Sequence, residues 1–136
     1  YSGAVTAERR RSGSGDADTG TNVAIVVNQT STVTGLAPGV AAQALSGNFD
    51  NPNSGPVYVA TVTASIDSVT KAVGAPAGTC DATDYTLANA VMTVNAEVPA
   101  GTAQGAWTGA TIQFNNKATN QDACKGATVN LAYTVG

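Results

Sequence analysis

Residues 58–67 read Y-V-A-T-V-T-A-S-I-D, and this stretch decides the fold. Tyr58, Ala60, Val62, Ala64 and Ile66 fall on one side of an extended chain, and Val59, Thr61, Thr63, Ser65 and Asp67 on the other. Successive side chains of a strand point to opposite faces, so this period of two predicts a strand with one buried face. The β-branched Val, Ile and Thr fit a pleated surface for the same reason. Just before it, N-P-N-S-G-P at Asn51–Pro56 is a turn signal, since Asn, Pro and Gly supply the backbone angles a turn needs.

Outward from this stretch the same period recurs. Val23, Ile25 and Val27 alternate with Ala24, Val26 and Asn28, and Leu45, Gly47 and Phe49 share a face. Met92, Val94, Ala96 and Val98 alternate with Thr93, Asn95 and Glu97, and Ile112 and Phe114 flank Gln113. Val129, Leu131, Tyr133 and Val135 alternate with Thr128, Asn130, Ala132 and Thr134. Turns are predicted at T-G-L-A-P-G, Thr34–Gly39, and at Pro99–Gly101. The one helical rival, Val40–Leu45, is short and follows Pro38-Gly39, so no helix is predicted. About seven or eight short strands separated by turn signals predict an all-β fold, an antiparallel β-sandwich of Ig-like or jelly-roll topology, over residues 21–136. Trp107 is the candidate core plug.

Residues 1–20 read as an extension to that domain. Tyr1, Gly3, Val5 and Ala7 alternate with Ser2, Ala4 and Thr6, a strand pattern over residues 1–7. Residues 8–20, E-R-R-R-S-G-S-G-D-A-D-T-G, have no hydrophobic period and read as a linker. A strand carried on such a tether pairs either with its own sheet or with a neighbour's.

Composition narrows the function classes. The 136 residues are 43% hydrophobic, yet only 5% are aromatic and 11% charged, so the apolar share is mostly Ala and Val. That is the composition of sheet with uncharged polar faces. The formal net charge is −3; the charges of residues 1–20 balance, leaving the body acidic. Arg9, Arg10 and Arg11 form one run, while Lys71, Lys117 and Lys125 are scattered. Without a basic stripe there is no nucleic-acid footprint. The arginine run is either a solvated linker feature or a docking contact for the acidic body of a next subunit. No apolar run is long enough for a membrane span or a signal peptide, and the sequence opens on Tyr1, which predicts a mature terminus left by leader cleavage.

Cys80 and Cys124 lie in the turn-like settings G-T-C-D and D-A-C-K-G. The chain has no His, so a Cys/His zinc site is excluded, and a catalytic cysteine would lack its imidazole base. A disulfide is the expectation, and with it an oxidising, extracellular or cell-surface location. The absence of His also removes Ser-His-Asp machinery, and no G-x-S-x-G, P-loop or G-x-G-x-x-G appears. Asp81 and Asp84, and Asp50 within N-F-D-N-P-N, are the carboxylates to weigh for acid–base work, against a plain role as turn-making residues. Asp16 with Asp18, Asp50 with Asn51 and Asn53, and Asp81 with Asp84 are the oxygen clusters to weigh for Ca²⁺, but none has EF-hand spacing. Asn28-Gln29-Thr30 is a glycosylation sequon. A Lys–Asn isopeptide needs a Lys on an inward face beside a carboxylate, and all three lysines lie in polar or turn contexts. The expectation is therefore no enzyme, no cofactor and no metal.

Three phrases carry a resemblance: T-N-V-A-I-V-V-N-Q-T-S-T-V-T-G-L-A-P-G, L-S-G-N-F-D-N-P-N-S-G-P-V-Y-V and N-Q-D-A-C-K-G-A-T-V-N-L-A-Y-T. They resemble small secreted actinobacterial surface proteins, Ala/Thr/Val-rich β-domains whose leaders are similar to the SipW-dependent type of the camelysin and TasA fibre proteins. The resemblance runs from about Thr21 onward, and the paired cysteines fit it. The more distant TasA-like analogy implies that an N-terminal strand of one subunit completes the sheet of the next. On that reading Tyr1, Gly3, Val5 and Ala7 are the donor strand and identical subunits are the partners, as a filament. The alternative is a monomeric cell-surface module, adhesin-like or anchored in the envelope.

Overall fold

The computed structural model describes residues 5–8 and 23–136. Nine strands are seen in it: β1 (Val5–Glu8), β2 (Val26–Gln29), β3 (Val33–Leu36), β4 (Gln43–Asn51), β5 (Val57–Thr70), β6 (Tyr85–Ala88), β7 (Val91–Val98), β8 (Gly101–Phe114) and β9 (Thr128–Val135). Two short 3-10 turns, Ala82–Asp84 and Asp122–Cys124, are the helical pieces among the described residues. The strands form a five-stranded sheet in the order β3-β1-β9-β5-β7 and a four-stranded sheet in the order β2-β4-β8-β6. Pairing is antiparallel except between β1 and β9, which run parallel.

The inner faces of both sheets meet in one core. Val59, Val62, Val129, Leu131 and Tyr133 from the first sheet face Val27, Leu45, Phe49, Trp107 and Ile112 from the second. Trp107 is the large core plug that the sequence pointed to. Its ring leans on that of Tyr133, centroids 4.6 Å apart and planes at 46°. Its Nε1 donates to the Asn48 carbonyl at 3.1 Å, so the indole is buried without an orphaned N–H. Gly47 leaves the space for this ring. A Cβ there would lie 1.8 Å from the Asn28 carbonyl oxygen and 2.6 Å from the Trp107 ring.

The faces of β5 differ from the plain alternation read from the sequence. Val59 is fully buried and Tyr58 is 54% exposed, whereas Val62 and Ala64 point inward as expected. The cause is a bulge: the N–H groups of both Ala60 and Thr61 go to the Gly136 carbonyl, at 3.1 and 3.4 Å. Two residues against one reverse the parity of every residue before them.

Bulges shape β8 more strongly. Its register against β4 shifts three times. Within those three intervals lie residues with positive φ: Gly109 (129°), Gly105 (67°) and Ala103 (53°). The Gly109 bulge lets Trp107 and Ala110, three residues apart, both face the core.

Candidate functional site

The place where the fold departs from a simple sandwich is the position of β1. This strand is inserted between β3 and β9, so a segment from the start of the sequence fills the interior of a sheet. On one side β1 runs antiparallel to β3, with Val5 opposite Leu36 and Ala7 opposite Val33. Three residues of β1 thus face four of β3, and the extra residue falls in the stretch that contains Gly35 at φ 74°. A left-handed residue in a bulge is the setting where glycine costs least. The Gly35 read from the sequence as part of a turn at Thr34–Gly39 is therefore a bulge glycine within β3, and the turn itself comes later, at Pro38 and Gly39. On its other side β1 runs parallel to β9, pairing Thr6 with Thr128, Ala7 with Val129 and Glu8 with Asn130.

β3 has β1 as its strand partner among the described residues. Its outer edge is satisfied in another way. The Gln43 side-chain amide donates to the Thr34 carbonyl at 2.6 Å and accepts from the Thr34 N–H at 3.3 Å, standing in for one residue of a neighbouring strand. The link from β2 into β3 is tied as well: Thr30 and Ser31 N–H both reach the Ser46 carbonyl, and Ser31 Oγ accepts from Ser46 N–H. Val33, Leu36, Val129 and Leu131, from the two strands that flank β1, are fully buried. The slot thus has a floor of core residues and two walls, each anchored by contacts that do not involve β1.

Of the residues assigned to a donor strand, Val5 and Ala7 lie in β1; Tyr1 and Gly3 fall outside the described residues. Arg9, Arg10, Arg11, Asp16 and Asp18 do as well. Glu8, placed in the linker by its polarity, is the last residue of β1. The 1–7 segment read as an extension pairs, from Val5 on, within the sheet of its own chain.

A second cluster surrounds the cysteines. Cys80 and Cys124 form a disulfide with Cα atoms 5.2 Å apart, and it ties the segment just before the first 3-10 turn to the end of the second. Asp81 caps the first of these turns by accepting from Thr83 N–H at 2.9 Å, and Asp84 Oδ2 accepts in return from Asp81 N–H at 3.0 Å. The pair considered for acid–base work is thus a reciprocal helix cap. Asp84 is only 4% exposed, and its Oδ1 accepts from Gln121 Nε2 at 2.9 Å beside Lys117 Nζ at 3.3 Å. Burial pushes its carboxyl up, but the hydrogen bonds from Asp81, Gln121 and Lys117 and the Lys117 charge outweigh it and hold the group below its ordinary value. Lys117 lies in a loop with its side chain 34% exposed, and its Nζ donates to Thr83 Oγ1 at 2.8 Å beside the Asp84 carboxylate, a polar context as read from the sequence. Cys80, Asp84 and Cys124 bring ligand-type atoms within 4.8 Å of one another, with the two sulfurs bonded to each other.

The other oxygen cluster, at Asp50–Asn53, is a turn brace. Asn51, buried, donates to the carbonyls of Gly55 and Val98 and accepts from Asn53, while Asp50 accepts from Ala103 N–H. Asn28 of the sequon is 5% exposed, and its Nδ2 donates to Asn48 Oδ1 at 3.2 Å. The fold closes over that amide nitrogen.

Comparison with known proteins gives no relative. No family model, no curated protein and no solved structure matches the chain. The slot therefore carries the functional reading on its own geometry.

Proposed function

We propose that this chain is the structural subunit of an extracellular filament, built by placing the β1 segment of one copy into the slot between β3 and β9 of the next. The observation that carries the reading is that β1 is an interior strand joined to the rest of the fold through residues 9–22. A stretch of that length can extend to roughly 45 Å, enough to reach a neighbouring copy. Main-chain pairing on two sides supplies affinity without needing a charged or aromatic site. Donation from copy to copy is head-to-tail and does not close, so it yields a fibre. The Cys80–Cys124 bridge is compatible with an extracellular setting, and no helix among the described residues is long and apolar enough to cross a membrane.

A second reading, a monomeric cell-surface module with adhesin-like or envelope function, is favoured by one observation: β1 pairs within its own chain. Electron microscopy of the purified chain, with and without residues 1–8, separates the two. Filaments that disappear on truncation and return when a synthetic 1–8 peptide is fused to a neighbouring copy support strand donation. Single particles in both samples, with the full chain folded, replace it by the monomeric module.

A further inference from the structure

Resting on the filament reading, we infer that the single chain is a self-capped, assembly-latent form, and that polymerisation is an exchange of β1 between copies. An open subunit would expose two unpaired strand edges in the middle of a sheet, together with the buried residues behind them. Here both edges are occupied in cis: Val5 and Ala7 sit opposite Leu36 and Val33, and Thr6, Ala7 and Glu8 opposite Thr128, Val129 and Asn130. Each wall has a contact that does not involve β1: Gln43 holds Thr34 of β3, and β5 pairs with β9 from Val62–Val135 to Thr70–Thr128.

The donated strand would make the same pairings in trans that it makes in cis. Exchange then leaves the number of main-chain hydrogen bonds unchanged, and what limits it is the release of β1 from two neighbours at once. The latch therefore acts on rate and on equilibrium: at equal pairings the closed chain is favoured until the concentration of copies exceeds the effective concentration set by its own tether. It keeps the chain from pairing prematurely at an open edge, a hazard that bare strand edges carry. Once a free slot exists, the fibre end presents it to each incoming strand.

The test is a pair of cysteines at facing positions of β1 and β3, Ala7→Cys/Val33→Cys, oxidised at high dilution in the full chain. The expected result is a single-chain cross-link on a non-reducing gel and loss of filaments under conditions in which the parent chain assembles. Single variants Ala7→Cys and Val33→Cys, mixed and oxidised after assembly, should give a covalent dimer. A double variant that yields no single-chain product, but a ladder of covalent oligomers, overturns the latch and leaves strand donation intact. A single-chain cross-link in a parent protein that never assembles overturns the filament reading and leaves the self-capped fold. A locked chain that still polymerises overturns both. A measurement on the unaltered chain guards against a misfolded variant: low urea should shorten the assembly lag if β1 release is limiting, and lengthening alone overturns the latch.

Discussion

The hydroxyl of Tyr133, on β9 of the five-stranded sheet, donates a hydrogen bond to Gln29 Oε1, on β2 of the four-stranded sheet. Both residues are buried, and the Gln29 amide nitrogen goes on to the Ser31 carbonyl at 3.0 Å. A polar bond thus crosses the core between the sheets beside the Trp107 ring. Tyr133→Phe leaves Gln29 Oε1 desolvated and unpaired, which should cost about 1–3 kcal/mol in urea unfolding. The double variant Tyr133→Phe/Gln29→Leu should recover part of that loss. If the two single variants add without coupling, the bond contributes nothing of its own.

Burial also pushes the Tyr133 hydroxyl well above the ordinary phenol range. The folded state keeps this proton where the unfolded chain releases it, near pH 10. The contribution to stability is complete below that pH and is lost as pH rises past it. Melting temperature should fall above about pH 10, and Tyr133→Phe should flatten the decline.

Asp84 has the opposite sign. Its folded pKa is depressed, so its contribution is complete above the ordinary carboxylate range and is lost as pH falls through the folded value. Asp84→Asn should lose about 1–3 kcal/mol at neutral pH, because an amide cannot accept from Asp81, Gln121 and Lys117 together. The gap between the parent and this variant should close in acid, below about pH 4. A gap unchanged with pH would assign the loss to packing.

Reduction of Cys80–Cys124 frees a span with a sequence separation of 44. In the chain-entropy account this is worth about 4 kcal/mol. Thermal unfolding with and without reductant checks it, and an unchanged midpoint would show the bridge to be neutral.

Gln43→Ala removes the side-chain amide that serves β3 as an edge partner. About 1 kcal/mol of stability should go with it, and the Thr34 amide should lose its protection from hydrogen exchange. Protection that survives would mean another group covers that edge.

The sandwich and the disulfide were legible because the signals that carry them are local and repeated. Tyr133 and Leu131 sit on a strand without bulges that breaks no period, and both are fully buried. Trp107 was legible as a residue but not as part of a strand. Its segment reads G-T-A-Q-G-A-W-T-G-A, and the bulges at Ala103, Gly105 and Gly109 erase the period that would mark β8. The strand β3 was hidden for a related reason: Gly35 looks like a turn residue, and only the pairing with β1 shows that its left-handed φ serves a bulge. β6 has the right alternation, Y-T-L-A, but four residues do not separate a strand from chance. For the slot, the sequence shows the incoming segment but not its walls, since nothing in Val33–Leu36 or Thr128–Val135 records which strand will lie between them. The partners of Asp84 were equally out of reach, because Gln121 and Lys117 are more than thirty positions away and enter through the disulfide-linked turns.

The parallel pairing of β1 with β9 also sets an order of events. Thr6 pairs with Thr128, far along the sequence, so this pairing has the longest loop to close of any strand pairing among the described residues. β3 follows β1 early in the chain, yet β1 reaches its central place in the sheet only when β9 is laid against β5. On loop length alone, the two-sided pairing of β1 is expected to be completed late, once β9 is in place. A ribosome or export channel that releases the chain from its first residue onward would deliver β1 early and leave it waiting. During that interval the segment is an unsatisfied strand in search of a cleft, and the earliest cleft to become available need not belong to its own chain.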